Sequence, residues 1–123
     1  MIGKIYSSVV PYYNRDKNVN AFKKRPVLII AGPRNNDYTV LPISTVSIRA
    51  NLDAEYDIEI EPEKYPELGL KKICYVRVHK QTTVHQASLT TVIGDMKKDY
   101  GELYLRILRK LEEYNKRIID EAL

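Results

Sequence analysis

The sequence has no tryptophan, one phenylalanine, one cysteine and two histidines among 123 residues. Cys74 alone can neither close an internal disulfide nor build a zinc site. It reads as a small core residue, and a chain without structural cystines suits a reducing cytoplasm. No apolar run approaches the ~20 residues of a membrane span. Met1-Ile2-Gly3-Lys4-Ile5 lacks the long apolar run of a signal peptide, so neither export nor a membrane location is expected. Also missing are a glycine-rich phosphate loop, a paired-carboxylate motif and Cys/His metal spacing. No cofactor and no metal are therefore expected.

What is present is ordinary in bulk and uneven in distribution. Apolar residues make up 44% and charged ones 29%, with a formal net charge of +4, enough for one globular domain over residues 1–123. Lys4, Arg15, Lys17, Lys23, Lys24, Arg25, Arg34 and Arg49 stand against only Asp16 and Asp37 in residues 1–49, while acids gather in 53–67 and near the C-terminus. The first half thus carries a basic face, which favours an anionic partner.

Residues 3–10 read as a first strand. Pro11 to Lys24 reads as a polar, basic loop rich in Tyr and Asn. Val27-Leu28-Ile29-Ile30 is the core of a buried second strand over 26–31. Pro26 donates no ladder hydrogen bond and is expected at the first position of that strand. Arg25 would then stand where a flexible loop meets a rigid sheet. Turn chemistry at Gly32-Pro33-Arg34-Asn35-Asn36-Asp37 joins strand two to strand three, 38–46, as a hairpin. Residues 55–60 alternate acidic and apolar, as a half-exposed strand does; 62–72 is a loop and 73–78 a fifth strand. Residues 88–96 read as either a helical turn or a strand end. Leu103, Ile107, Leu108, Leu111, Tyr114, Ile118 and Ala122 repeat at helical spacing, giving a terminal amphipathic helix of roughly 20 residues. Tyr104 and Leu105 fall off that stripe and are candidates for packing on a second copy of the chain. The fold class is mainly β with a C-terminal α-helix: a small, curved, antiparallel sheet or barrel.

Three stretches carry candidate chemistry. The first is Lys23-Lys24-Arg25-Pro26, where a planar guanidinium suits phosphate. The second is Tyr75-Val76-Arg77-Val78-His79-Lys80-Gln81-Thr82. Strand alternation puts Arg77 and His79 on one face, with Tyr75 beside them. Imidazole can move a proton near neutrality, and Arg can neutralise charge at phosphorus. The third is Ser44-Thr45, hydroxyls at a strand end that reach a phosphate or simply cap the strand.

Together these stretches resemble the MazF/PemK family of toxins from bacterial toxin–antitoxin systems. Gly3-Lys4-Ile5-Tyr6, Arg25-Pro26-Val27-Leu28-Ile29-Ile30, Pro42-Ile43-Ser44-Thr45, an acidic strand and Leu68-Gly69-Leu70 follow the family's order. The resemblance implies the small SH3-like antiparallel barrel of CcdB/MazF type. It implies a metal-independent, sequence-selective endoribonuclease that cuts single-stranded RNA by attack of a 2′-OH, leaving a 2′,3′-cyclic phosphate and a 5′-OH. It also implies a homodimer and a cognate antitoxin. Residue by residue, Arg25 matches the arginine on the scissile phosphate, and either Ser44 or Thr45 matches the family's threonine. Arg77 and His79 match an Arg/Asp arrangement, with His in the Asp position. Lys23, Lys24, Tyr12, Tyr13, Arg49, Lys80, Gln81 and Thr82 are the expected RNA contacts. Departures are the loss of an Arg and an Asp in Gln81-Thr82-Thr83-Val84-His85 and the basic Lys4 where an acid is usual. A non-catalytic gyrase poison of CcdB type depends on a tryptophan near the C-terminus, and this chain has none. A non-catalytic barrel that binds RNA or protein is the other alternative.

Overall fold

The computed structural model describes residues 1–14 and 16–123, with the backbone alone for 11–13. Its strands are β1 (Lys4–Asn14), β2 (Val19–Arg34), β3 (Asp37–Ser44), β4 (Asp57–Ile60), β5 (Cys74–Arg77), β6 (Thr82–His85) and β7 (Leu89–Asp95). A short helix α1 (Met96–Asp99) leads into the long α2 (Gly101–Ala122). The strands run antiparallel in the order β4-β5-β3-β2-β1-β7, with β6 also paired to β3. This is a curled half-barrel closed by one long helix, the architecture expected from the sequence.

The largest departure is at Pro11 to Lys24. The expected loop is a long β-hairpin, paired from Ile5–Leu28 out to Asn14–Val19. Its sequence lacks alternation because the two strands satisfy each other's backbone groups and need no buried face. At its tip the Asn14 side-chain oxygen accepts from the amides of Asp16 (3.1 Å) and Lys17 (3.2 Å). Arg25 therefore stands well inside a 16-residue strand, opposite Ser8, and not at a loop–sheet junction.

Pro26 likewise lies inside β2 and not at its start. The β2–β3 ladder reaches only Val27–Pro42, and from Ile43 onward β3 pairs with β5. Both prolines thus mark the place where β3 leaves β2, where a missing donor costs least. The β2–β3 turn is shorter than the sequence indicated. Arg34 pairs with Asp37 around Asn35 (φ 52°) and Asn36 (φ 66°), a two-residue turn with both central residues in the left-handed region.

Ile5, Leu28, Leu41, Ile43, Ile60, Leu68, Val76, Val78 and Met96 fill the core inside the curl, and α2 adds Leu103, Tyr104 and Ile107. Each such side chain contributes roughly 1.5–3 kcal/mol. Tyr104 is only 4% exposed, so it belongs to this core and not to a contact with a second copy. The apolar stripe is wider at this end because the first turns of α2 lie within the curl. Further along, Leu111 and Tyr114 are partly covered, while Ile118 and Ala122 are exposed. Thr82–His85 is a strand the sequence did not signal, and 88–96 resolves into β7, paired with β1, followed by α1. Asp95 caps α1 by accepting from the Lys98 amide (3.1 Å).

Candidate functional site

The crossing point of β2 and β3 builds a cavity of about 550 Å³, within the usual range for ligand sites. Lys23, Lys24, Arg25 and Pro26 form one wall, and Ser44 and Thr45 close one end. Leu70, Lys71 and Lys72 form the opposite wall, over Ile43 and Cys74. The Arg25 Nη1 donates to Ser44 Oγ at 3.3 Å. Antiparallel strands bring residues nineteen apart in sequence into this contact. Ser44 is thus the hydroxyl joined to the arginine, and Thr45 is an exposed neighbour in the same cavity. Among the described residues no carboxylate lines the cavity. Burial pushes the Cys74 thiol up to about 11, so at neutral pH it is a protonated part of the floor and a poor nucleophile.

A second cluster forms where β5 meets β4. The register pairs Arg77 with Asp57. Arg77 donates from Nε to Asp57 Oδ1 (3.1 Å), from Nη2 to Asp57 Oδ2 (3.3 Å) and from Nη2 to the Asn51 carbonyl (2.9 Å). The Asp53 amide also donates to Asp57 Oδ2, at 2.8 Å. The Asp57 side chain is 1% exposed and that of Arg77 14%, so this is a two-pronged, largely desolvated ion pair. Asp57 is the residue that reading the sequence missed. The signal was its place on the acidic face of 55–60, but its partner lies twenty positions away and only strand register reveals it.

His79 lies in the same cluster by a different route from the one expected. β5 ends at Arg77, and Val78–Lys80 turn into a 3-10 helix, so strand alternation no longer governs His79. Its Nδ1 stands 3.7 Å from Asp57 Oδ1, and its ring meets Tyr114 of α2 edge-on at 6.5 Å. That Nδ1 is buried with no hydrogen-bond partner among the described residues, since 3.7 Å is too long for one. Beside it, burial raises the Asp53 carboxyl, but amide donors from Tyr56 and Glu55 and the nearby His79 and Arg117 charges outweigh burial. Asp53 ends below its ordinary value.

The two clusters share one sheet but are not in contact. Ser44 pairs with Tyr75, which pairs with Glu59, and Arg77 stands two residues along from Tyr75. Strand spacing puts the Ser44 and Arg77 backbones about 8 Å apart. Tyr75 lies between them and also lines a smaller cavity with Arg49 and Asp57. Lys80, Gln81 and Thr82 are exposed; Lys80 ends the turn that holds His79, and Thr82 starts β6 opposite Val40, away from Ser44. The Tyr12 and Tyr13 side chains lie outside the described residues. Phe22, on the same hairpin, is 71% exposed. No described residues gather three metal-ligating side chains, and no helix among them is long and apolar enough to cross a membrane.

Comparison with known proteins agrees with this architecture. Residues 8–112 match the sequence profile of a family described as PemK-like, MazF-like toxin of type II toxin–antitoxin system. Among solved structures, the Mycobacterium tuberculosis toxin MazF-mt6 superposes with a TM-score of 0.59 at 21% identity, covering 95% of this chain and 96% of that one. At that identity the likeness is one of fold. No curated protein matches the chain.

Proposed function

The chain belongs to the PemK-like, MazF-like toxin family of type II toxin–antitoxin systems, and from that premise we propose that it is an endoribonuclease cutting single-stranded RNA. The observation that carries this reading is the Arg25–Ser44 contact inside a cavity whose described lining includes the cations Lys23, Lys24, Arg25, Lys71 and Lys72 and no carboxylate. That is the chemistry of a phosphodiester site.

In the proposed reaction a ribose 2′-oxygen attacks the adjacent phosphorus. The new bond is 2′-O–P and the broken bond is P–O5′. One group takes the 2′ proton and another supplies a proton to the departing 5′-oxygen. The products are a 2′,3′-cyclic phosphate and a 5′-hydroxyl, and no water or metal enters the step. Arg25 neutralises charge on the non-bridging oxygens as the phosphorus becomes five-coordinate. Ser44, already hydrogen-bonded to Arg25, orients the same phosphate; Thr45 stands behind it. Arg77 enters with one edge of its guanidinium fixed by Asp57, which sets the direction of the other edge. His79 handles one of these two protons, since an imidazole can act as base or as acid near neutrality. Tyr75, between the clusters, offers a ring for a base to stack on. Arg49 extends the basic track past it, and Lys23 and Lys24 hold the strand on the other side. The protein works as a homodimer in the cytoplasm, with its RNA site at the subunit junction, and a cognate antitoxin covers that site.

The test is to incubate purified protein with a long defined RNA in excess EDTA and map the fragment ends. Discrete fragments with 5′-hydroxyls support the reading. Intact RNA bound by the protein would assign it to a binding module instead.

A further inference from the structure

The cavity has two basic walls, and only one was visible in the sequence. Lys71 and Lys72 come from the segment before β5, and because β3 lies between β5 and β2 in the sheet they flank the end of β3 from the side away from Lys23–Arg25. Neither makes an ion pair among the described residues. Their segment is nonetheless held at both ends. Leu68 is fully buried, and Gly69 (φ 69°) sits so close to Ile93 that a Cβ there would lie 2.8 Å from Ile93 Cγ2. Cys74, at the other end, is buried in the core. The backbone that carries two adjacent ammonium groups is thus held across the cavity from a guanidinium. Their mutual repulsion is relieved when a polyanion enters.

We infer that Lys71 and Lys72 form a second phosphate wall, holding the linkage next to the one that faces Arg25 and Ser44. The inference rests on the ribonuclease reading for its substrate class. The two walls differ in kind. A guanidinium beside a hydroxyl is directional and suits the linkage that reacts. Lysine ammonium groups are mobile point charges and suit a neighbouring phosphate that is only gripped. Such contacts fix the register of the strand without reading its bases. A polyphosphate backbone accounts for both walls better than an acidic peptide does, because Arg25 and Ser44 together match one tetrahedral phosphate.

The test compares wild type with Lys71→Gln/Lys72→Gln and with a charge-matched control, Lys98→Gln/Lys116→Gln, whose exposed lysines line no part of the cavity. Binding of a 2′-O-methyl RNA oligonucleotide, which cannot be cut through its 2′-oxygen, is measured by anisotropy across a salt series. Cleavage of the matching RNA gives kcat and KM. Each lost phosphate contact lowers the slope of log affinity against log salt by about 0.7 for single strands. The double variant's slope is therefore shallower by about 1.4. Between about 50 and 200 mM salt it loses roughly sevenfold less affinity than wild type. Its cleavage defect falls on KM, equally for different RNA sequences, and the control matches wild type. An unchanged slope in a protein whose wild type cuts RNA overturns the second wall and leaves the ribonuclease reading in place. A shallower slope in a protein that binds but does not cut overturns that reading and keeps the wall. If the double variant loses affinity for a poly-glutamate peptide but not for the RNA, the wall belongs to a protein partner and the inference is wrong.

Discussion

Replacing Asp57 with alanine is the most informative perturbation of the scaffold. Its carboxylate is 1% exposed and accepts three hydrogen bonds, two from Arg77 and one from the Asp53 amide. Asp57→Ala removes all three and leaves the Arg77 guanidinium, 14% exposed, with the Asn51 carbonyl as its remaining partner among the described residues. Breaking one side of a buried ion pair costs about 3–5 kcal/mol. Arg77 keeps one strong acceptor and some water, so the lower end, about 3 kcal/mol, is expected. Against a total stability of about 5–15 kcal/mol, that is a large share. In a chain of this size it lowers Tm by roughly 10–15 °C. The exposed Lys64–Glu61 pair should by contrast give less than about 1 kcal/mol. The assay is urea unfolding of wild type, Asp57→Ala, Arg77→Met and Asp57→Leu/Arg77→Met. The double variant should recover much of the loss, because an apolar pair of similar volume is often near neutral. A cost below about 1 kcal/mol for Asp57→Ala, with an unchanged m-value, would refute the claim that this pair ties the 51–57 segment to β5.

Other outcomes follow from the same geometry. Arg25→Ala should abolish RNA cleavage with the urea midpoint close to wild type, since Arg25 is partly exposed and its side chain makes one hydrogen bond, to Ser44, among the described residues; cleavage rates and unfolding curves on one preparation check this. The pH–rate profile should carry a limb that vanishes in His79→Gln and moves to lower pH in His79→Asp, because a carboxylate titrates below an imidazole. Asp53 is depressed in the folded state: burial raises it, and the Tyr56 and Glu55 amides more than offset that. Its contribution is thus complete above the unfolded value of about 3.9 and is lost as pH falls through the lower folded value. Urea midpoints measured on either side of about pH 4 should therefore fall less steeply in Asp53→Asn than in wild type.

Much of the fold was legible because it rests on local pattern. Val27–Ile30 announce a buried strand, Gly32–Asp37 a hairpin turn and Leu103–Tyr114 a helix face. Pro11–Lys24 was not legible, since a hairpin that pairs with itself needs no apolar alternation. Tyr104 was misread because a helix lying in a curved sheet buries more than one stripe. The site divides in the same way. Arg25 and the Ser44-Thr45 pair stood out by residue type, although Arg25 lies within β2 and not at the strand end the sequence suggested. Asp57 looked like one more surface acid until register set it against Arg77. Lys71 and Lys72 looked like loop charges until the anchoring of Leu68 and Cys74 placed them across the cavity. Lys80, Gln81 and Thr82 followed the Arg77 motif in sequence, but the 3-10 turn at Val78 carries them away from it.

The Arg25 guanidinium and the Ser44 hydroxyl are joined across two strands, and end-mapping of one long RNA tests their role most directly. Wild type and Arg25→Ala are incubated with that RNA in EDTA under identical conditions. Wild type should give discrete fragments ending in cyclic phosphate and 5′-hydroxyl, and the variant should leave the RNA intact. Equal cutting by the two proteins, or wild-type fragments bearing 5′-phosphates, would contradict that role.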